Sequence, residues 1–130
     1  MALAGINRLS LQEHIKEVFD EQYITPPAGQ GALAVMTHKD SEYNDVISKL
    51  NHEDSRIEAM TEKAILETIG VGCQWPIGIV SKVDGNNINI HCKLLSPEGK
   101  LLADVNKTTD KNNAINTAKV IGTKLREDTL

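Results

Sequence analysis

Residues 51–130 predict an α+β fold, a three-stranded antiparallel sheet covered by helices. Three patterns point to it. Ile57, Met60, Ala64 and Ile65 recur at helical spacing ahead of a glycine pair, apolar residues alternate at strand spacing on both sides of Asp84-Gly85, and helical spacing returns from Ala114 onward. A helix, three strands and a helix form a small two-layer unit, because a sheet with one apolar face needs a helical layer to cover it.

The first helix of this unit is expected over 55–69, since Ser55 and Glu58 have capping-box spacing and Ile57, Met60, Ala64, Ile65 and Thr68 trace one face. Gly70 and Gly72 end it and open the stretch Gly70-Val71-Gly72-Cys73-Gln74-Trp75-Pro76-Ile77-Gly78, a glycine-rich loop that carries a thiol. Ile77, Ile79 and Val83 alternate on a first strand, Asp84-Gly85 marks a tight hairpin, and Ile88, Ile90, Cys92 and Leu94 alternate on a second. Ser96-Pro97-Glu98-Gly99 has proline second and glycine fourth, as a type I turn favours, and leads to a third strand over 100–108. Asp110 is the expected N-cap of a last helix, on which Ala114, Ala118, Ile121 and Leu125 share a face that can lie on the sheet.

Residues 1–50 are less regular. The small apolar residues around Gly5 suggest the end of a strand running into a turn. Ser10 and Glu13 make another capping box, and Leu11, Ile15, Val18 and Phe19 predict a helix near 10–20. Pro26, Pro27, Gly29 and Gly31 break the chain into a connecting loop over 21–31. The apolar run 32–37, bounded by that loop and by His38-Lys39-Asp40, is expected as a buried strand. Asp40 or Ser41 then caps a short helix with Tyr43, Val46, Ile47 and Leu50 on one face.

Composition narrows the function classes. The chain has 130 residues, 40% of them apolar, and a formal net charge of −4. Its arginines are only Arg8, Arg56 and Arg126, and its basic residues are scattered, so nucleic acid is not an expected partner. Cys73 and Cys92 form no Cys-x-x-Cys pair, and no secretory or membrane-spanning run is visible, so the cytoplasm is the expected compartment and a membrane is not an expected partner. Histidines at 14, 38, 52 and 91 match no metal-site spacing, and no metal is expected.

A functional reading turns on Cys73. A free cysteine is most simply buried and inert, and a reactive one needs electropositive surroundings to form thiolate. A papain-like protease arrangement does not fit, because Gln74 stands where that pattern has an aromatic residue. The histidine of that pattern also lies more than about a hundred residues downstream, whereas only 57 residues follow Cys73. Cys92 shares a strand face with Ile88, Ile90 and Leu94 and reads as a small core residue without a function. Arg8, taken alone, is a solvated residue before a helix.

The segment Gly72-Cys73-Gln74-Trp75-Pro76-Ile77-Gly78 resembles the cofactor-attachment loop of the porphobilinogen deaminases, also called hydroxymethylbilane synthases. Three more segments agree in order and spacing. Ala4-Gly5-Ile6-Asn7-Arg8-Leu9 is similar to the family's Ala-Gly-x-x-Arg-Leu, and Pro27-Ala28-Gly29-Gln30-Gly31-Ala32 to its Pro-x-x-Gly-Gln-Gly-Ala segment. Leu50-Asn51-His52-Glu53 followed by Thr61-Glu62-Lys63-Ala64 resembles the entry to its third domain, so the likeness runs from residue 1 to about 108.

The resemblance implies that residues 1–50 are a remnant of domains 2 and 1, with helix, crossover loop, strand and helix, from two periplasmic-binding-protein-like α/β domains. Residues 51–130 would be the C-terminal domain carrying the cofactor-attachment cysteine loop. The chain then reads as a C-terminal fragment, with a separate half-enzyme chain as the alternative. The activity implied is that of a transferase of tetrapyrrole (haem) biosynthesis, which condenses four porphobilinogens into hydroxymethylbilane with loss of ammonia, on a dipyrromethane cofactor held by a thioether to Cys73. Arg8 would bind a cofactor carboxylate, as its guanidinium fork suits, while Ala2 and Gly5 would place backbone amides nearby and Gln30 and Gly31 would sit in the same cleft. Val71 and Trp75 depart from the family's usual residues, and Val71 does not readily take positive φ. The family's catalytic aspartate belongs to the missing N-terminal portion, so no catalytic residue is expected here, Asp104 and Asp110 included. The fragment alone is expected to be inactive, with that portion as its partner and porphobilinogen as the substrate of the pair. The competing expectation is a non-catalytic binding or assembly module, a homo-oligomer that dimerises through residues 1–50.

Overall fold

The computed structural model describes residues 2–70 and 75–127. Along them run helices α1 (Leu3–Arg8), α2 (Asn44–Ser48), α3 (Glu53–Ile69) and α4 (Ala114–Glu127), strands β1 (Ile77–Asp84), β2 (Asn87–Leu95) and β3 (Leu101–Asp110), and short 3-10 turns at Gln12–His14 and Lys111–Asn113.

Helix α3 starts one turn earlier than Ser55. Its N-cap is His52, whose ring Nδ1 accepts the Ser55 N–H at 3.3 Å, and Glu53 and Asp54 complement the positive end of the helix dipole. The expected Ser55–Glu58 capping box is not used, because the Glu58 carboxylate accepts the Val83 N–H of β1 at 2.8 Å instead. The helix ends as expected at Gly70, whose φ of 66° is left-handed and lets its N–H reach the Leu66 carbonyl.

The sheet is the expected antiparallel meander in the order β1-β2-β3. Ile79 stands opposite Cys92, and Cys92 opposite Val105, so one face of all three strands carries the apolar set. Gly99 donates its N–H to the Ser96 carbonyl at 2.9 Å, closing the turn read from Ser-Pro-Glu-Gly. Asp110 caps as expected, its carboxylate accepting the Asn112 N–H at 2.8 Å, although a 3-10 turn precedes α4.

Helices α3 and α4 cover that face. Ile65 and Ile69 meet Ile79, Ile90, Cys92 and Leu94 of the sheet and Ala118, Ile121 and Leu125 of α4, all of them buried. Each large aliphatic side chain buried here contributes about 1.5–3 kcal/mol. The two helices approach closely at Gly122, where a Cβ would lie 2.6 Å from Thr68 Cβ and 2.9 Å from the Ile65 carbonyl oxygen.

Residues 2–50 depart from expectation. The expected strand end is the helix α1, and the helix expected near 10–20 shrinks to the 3-10 turn Gln12–His14, with Ser10 at a φ of 56°. Val18 and Phe19, its intended apolar face, are 61% and 53% exposed. A short helix draws most of its stability from burying such a face, and here the described residues leave it more than half exposed. The run 32–37 is neither a strand nor buried: Leu33 is 97% exposed, and no sheet partner lies beside it among the described residues. The helix after Ser41 is shortened to α2. Among the described residues no helix is long and apolar enough to cross a membrane.

Candidate functional site

The strongest polar construction in the chain is centred on Glu62, a carboxylate only 7% exposed on the sheet-facing side of α3. One oxygen, Oε1, accepts the Ser81 N–H of β1 at 2.8 Å and lies 3.0 Å from the Ser81 hydroxyl. The other, Oε2, accepts the Gly29 N–H at 2.6 Å. Two backbone donors, with the Ser81 hydroxyl shared between Glu62 Oε1 and the Glu58 carbonyl at 3.0 Å each, thus compensate the burial of the charge, which would otherwise be costly. The Gly29 bond is possible because Gly29 sits at a φ of 76°, a backbone conformation that side-chain-bearing residues avoid.

The segment leading to Gly29 is bound along β1 by further contacts. Pro26 O accepts the Ile79 N–H at 2.8 Å, and Thr25 crosses so close to Gly78 that an added Cβ would fall 2.7 Å from Thr25 Cβ. Upstream, Lys82 pairs with Glu21 at 2.6 Å, which raises the Lys82 pKa, and the Lys93 ammonium donates to the Gln22 carbonyl. Residues 21–29 therefore run as a strap over the edge and outer face of β1.

The residues singled out from the sequence fall in separate places. Gln30 and Gly31 follow directly on the clamped Gly29, both exposed, with the Gln30 N–H donating to the Pro27 carbonyl at 3.1 Å. Gly31 lines a cleft of about 790 Å³ with Leu33, Ile47, Leu50, Arg56 and Met60. Arg8 ends α1, is exposed, and has no hydrogen-bond or ion-pair partner among the described residues. Ala2 is the N-cap of α1, its carbonyl accepting the Gly5 N–H at 3.1 Å, and Gly5 has open space around its Cβ position. No hydrogen bond joins α1 to Gln30 or Gly31. Cys73 lies outside the described residues, between the end of α3 at Ile69 and the start of β1 at Ile77.

The second cysteine is chemically quiet. Cys92 is fully buried, and removal from water, with the Glu62 carboxylate nearby as a lesser cause, pushes its thiol pKa up to about 12. On the opposite face of the sheet, His91 Nε2 lies 2.8 Å from Asp104 Oδ1, and Lys93 is 3.7 Å from the same carboxylate. His91 also lines a cleft of about 720 Å³ beneath the strap with Phe19, Lys82, Asn89 and Asn106.

Glu62 received no role of its own from the sequence, where it appeared only within the motif Thr61-Glu62-Lys63-Ala64. The signal that could have found it is positional: it stands three residues before Ile65 and seven before Ile69, so an ionisable group interrupts the buried stripe of α3.

Comparison with known proteins gives these observations a family. One family model, "Porphobilinogen deaminase, C-terminal domain", matches residues 56–130, more than half of the chain. The chain belongs to the porphobilinogen deaminase family. A second model, "Porphobilinogen deaminase, dipyromethane cofactor binding domain", matches residues 1–46. Among curated relatives, a probable porphobilinogen deaminase of Methanothermobacter thermautotrophicus is 46% identical over 105 residues, 81% of this chain and 36% of that protein. The porphobilinogen deaminase of Caldicellulosiruptor saccharolyticus is 32% identical over 97% of this chain and 43% of its own length, and a probable one of Nitrosopumilus maritimus 33% identical over 98% and 41%. The chain thus spans about 36–43% of the length of these porphobilinogen deaminases.

Proposed function

We propose that this chain supplies the cofactor-bearing part of a hydroxymethylbilane synthase, with Cys73 as the attachment point for dipyrromethane. The observation that carries the reading is the burial of Cys92, taken with the attachment motif around Cys73. The buried Cys92 holds its proton up to a pKa of about 12 and cannot serve as a tether, which leaves the thiol of the family's attachment motif. In this reading the Cys73 sulfur forms a C–S bond to a pyrrole methylene carbon while the C–N bond breaks, and ammonia leaves with the thiol proton. A second porphobilinogen then joins that pyrrole through a C–C bond as its own C–N bond breaks, with loss of a second ammonia, and the resulting dipyrromethane supplies the primer for head-to-tail condensation of porphobilinogen.

The described residues suit a carboxylate-bearing group. Arg8 offers a guanidinium fork with no partner among the described residues, matched to bidentate carboxylate binding. Gly29 and Gly31, at φ values of 76° and 85°, hold Gln30 on a loop without bulk beside it. Ala2 and Gly5 join Arg8 on α1 as the backbone side of the same site. The catalytic aspartate and most of the cationic lining come from the remaining portion of the family fold, which the relatives' greater length accommodates, and this chain is inactive without it. Residues 1–50 are then pieces of two further domains, 51–130 the C-terminal one, and the assembled enzyme works in the cytoplasm.

The test is the intact mass of the denatured chain, prepared with and without co-expression of the N-terminal portion. A two-pyrrole increase that requires the partner and vanishes in Cys73→Ser is expected. An unmodified chain in both samples, with the two portions shown to associate, overturns the reading.

A second reading has its own support. Leu33, Met36, Leu50 and Val46 are 97%, 92%, 70% and 63% exposed, an apolar surface that favours assembly through residues 1–50. Sedimentation over a range of concentrations tests it, and a strict monomer throughout refutes self-association.

A further inference from the structure

We infer that Glu62 is a positioning residue, which locks the loop bearing Gln30 and Gly31 to both stems of the cysteine stretch. The inference rests on the cofactor role proposed for Cys73 and deepens it. Cys73 lies four residues after the last residue of α3 and four before the first of β1. Glu62 belongs to α3, binds β1 through Ser81, and binds the crossover loop through Gly29. One carboxylate therefore ties three segments that are distant in sequence. Two of them lead into the cysteine stretch, and the third continues into Gln30 and Gly31.

The chemistry of the clamp calls for a carboxylate. Both oxygens act as acceptors at the same time, each toward a backbone N–H, and the Ser81 hydroxyl adds to one of them. A glutamine has one acceptor oxygen and one donor nitrogen, so whichever way it turns, an N–H of Ser81 or Gly29 faces another donor. Aspartate, one methylene shorter, does not span both. The rest of the loop is laid against β1 by main-chain contacts at Pro26 and by the close approach of Thr25 to Gly78. Those contacts fix the strap, whereas among the described residues the Glu62 bond is the one that ties Gly29 to the folded unit, its other bond being the local one in which its carbonyl accepts the Ala32 N–H at 3.1 Å. Loss of that bond frees Gln30 and Gly31 while leaving the sheet intact.

The experiment uses Glu62→Gln in the whole chain, co-expressed with the N-terminal portion, with two readouts. Amide hydrogen exchange of Gly29 and Ser81 reads the clamp directly. The rate at which the two-pyrrole mass increase appears on Cys73 reads positioning. A hydrogen bond to a buried charge is strong enough that its loss speeds exchange of Gly29 or Ser81, whichever amide faces the new donor, about 10–100-fold, while protection over β2 stays at the wild-type level. Misplacing one wall of the site slows loading about 10–100-fold. Ile121→Val, which loosens the core without touching the clamp, keeps wild-type loading. Gly29→Ala attacks the same contact from the loop side: its Cβ meets nothing within 4 Å but its φ is strained, so it gives the same pattern and serves if Glu62→Gln fails to fold. Unchanged exchange at both Gly29 and Ser81 in Glu62→Gln overturns the clamp. Faster exchange with wild-type loading overturns the positioning role. A wild-type chain that is never loaded overturns the underlying assignment of Cys73 and the positioning role with it, while the exchange data still decide the clamp.

Discussion

Gly122→Ala sets two physical rules against each other. Glycine inside a helix is unfavourable relative to alanine by about 0.8–1 kcal/mol, so propensity alone makes the substitution stabilising. The structure predicts the reverse, because the new Cβ would lie 2.6 Å from Thr68 Cβ and 2.9 Å from the Ile65 carbonyl oxygen. The second of these is helix backbone, which cannot rotate away. Overpacking of a closed contact costs about 1–3 kcal/mol, and forcing α3 and α4 apart also loosens contacts around Ile65, Ile121 and Leu125. With propensity subtracted, a net loss of about 1–2 kcal/mol is expected, which lowers Tm by roughly 3–8 °C for a chain of this size. Urea unfolding followed by circular dichroism measures it. Gly5→Ala is the control, being helical with nothing within 4 Å of its Cβ, and should leave the global transition unchanged or slightly raised. A Gly122→Ala chain as stable as wild type, or more stable, refutes the close crossing of the two helices.

Other outcomes follow from the same geometry. Leu125→Ala removes a fully buried side chain and should cost about 2–5 kcal/mol in the same unfolding assay. The Cys92 thiol pKa is raised on folding, so its contribution to stability is complete below the unfolded value of 9.0 and is lost as pH rises toward about 12. At pH 8 to 9 the folded chain should therefore resist alkylation at Cys92, and the denatured chain should react, as peptide mapping will show. Glu53 is held down to a pKa of about 2, first by its hydrogen bond from Arg56, so whatever the pair contributes is present above pH 4.5 and fades as pH falls toward 2. A carboxyl titration followed by NMR should place its midpoint near that value, and Arg56→Ala should raise it toward the ordinary range, with the Asn51 hydrogen bond still holding it down in part. Arg8→Ala, which removes an exposed side chain without partners among the described residues, should change stability by less than about 0.5 kcal/mol yet slow cofactor loading.

Periodicity sufficed where the chain supplies its own partners. The strand alternation around Asp84-Gly85, the Ser-Pro-Glu-Gly turn and the stripe Ala114, Ala118, Ile121, Leu125 all appear in the structure as read, because each apolar face meets another from the same 75 or so residues. The same rules failed at Ser10–Glu13 and over 32–37. The local signals there are sound, but a capping box does not hold a helix whose Val18 and Phe19 find no surface, and an apolar run does not make a strand without a ladder beside it. At the start of α3 two local rules competed. A histidine ring nitrogen took the capping position that Ser55 had been expected to fill, and Glu58 was drawn off to the backbone of β1. The Glu62 clamp was hidden for another reason: its Gly29 partner is 33 positions away, a separation no local pattern reports. Of the candidate site, Cys73 is legible through its motif, whereas the tie of Gly29 to α3 emerges only from tertiary contacts.

The order α3, β1, β2, β3, α4 also has a kinetic consequence. Each strand pairs with its immediate successor through a short turn, so hairpin formation closes only small loops and can proceed quickly. The one long closure joins α4 to α3, across the whole sheet. During synthesis the hairpins can form while Ile65 and Ile69 are still uncovered, and their shelter waits for residues 114–125 to leave the ribosome. For that interval the nascent chain carries an open greasy flank, when a holding chaperone has its best opportunity to bind and a neighbouring nascent copy its best opportunity to aggregate.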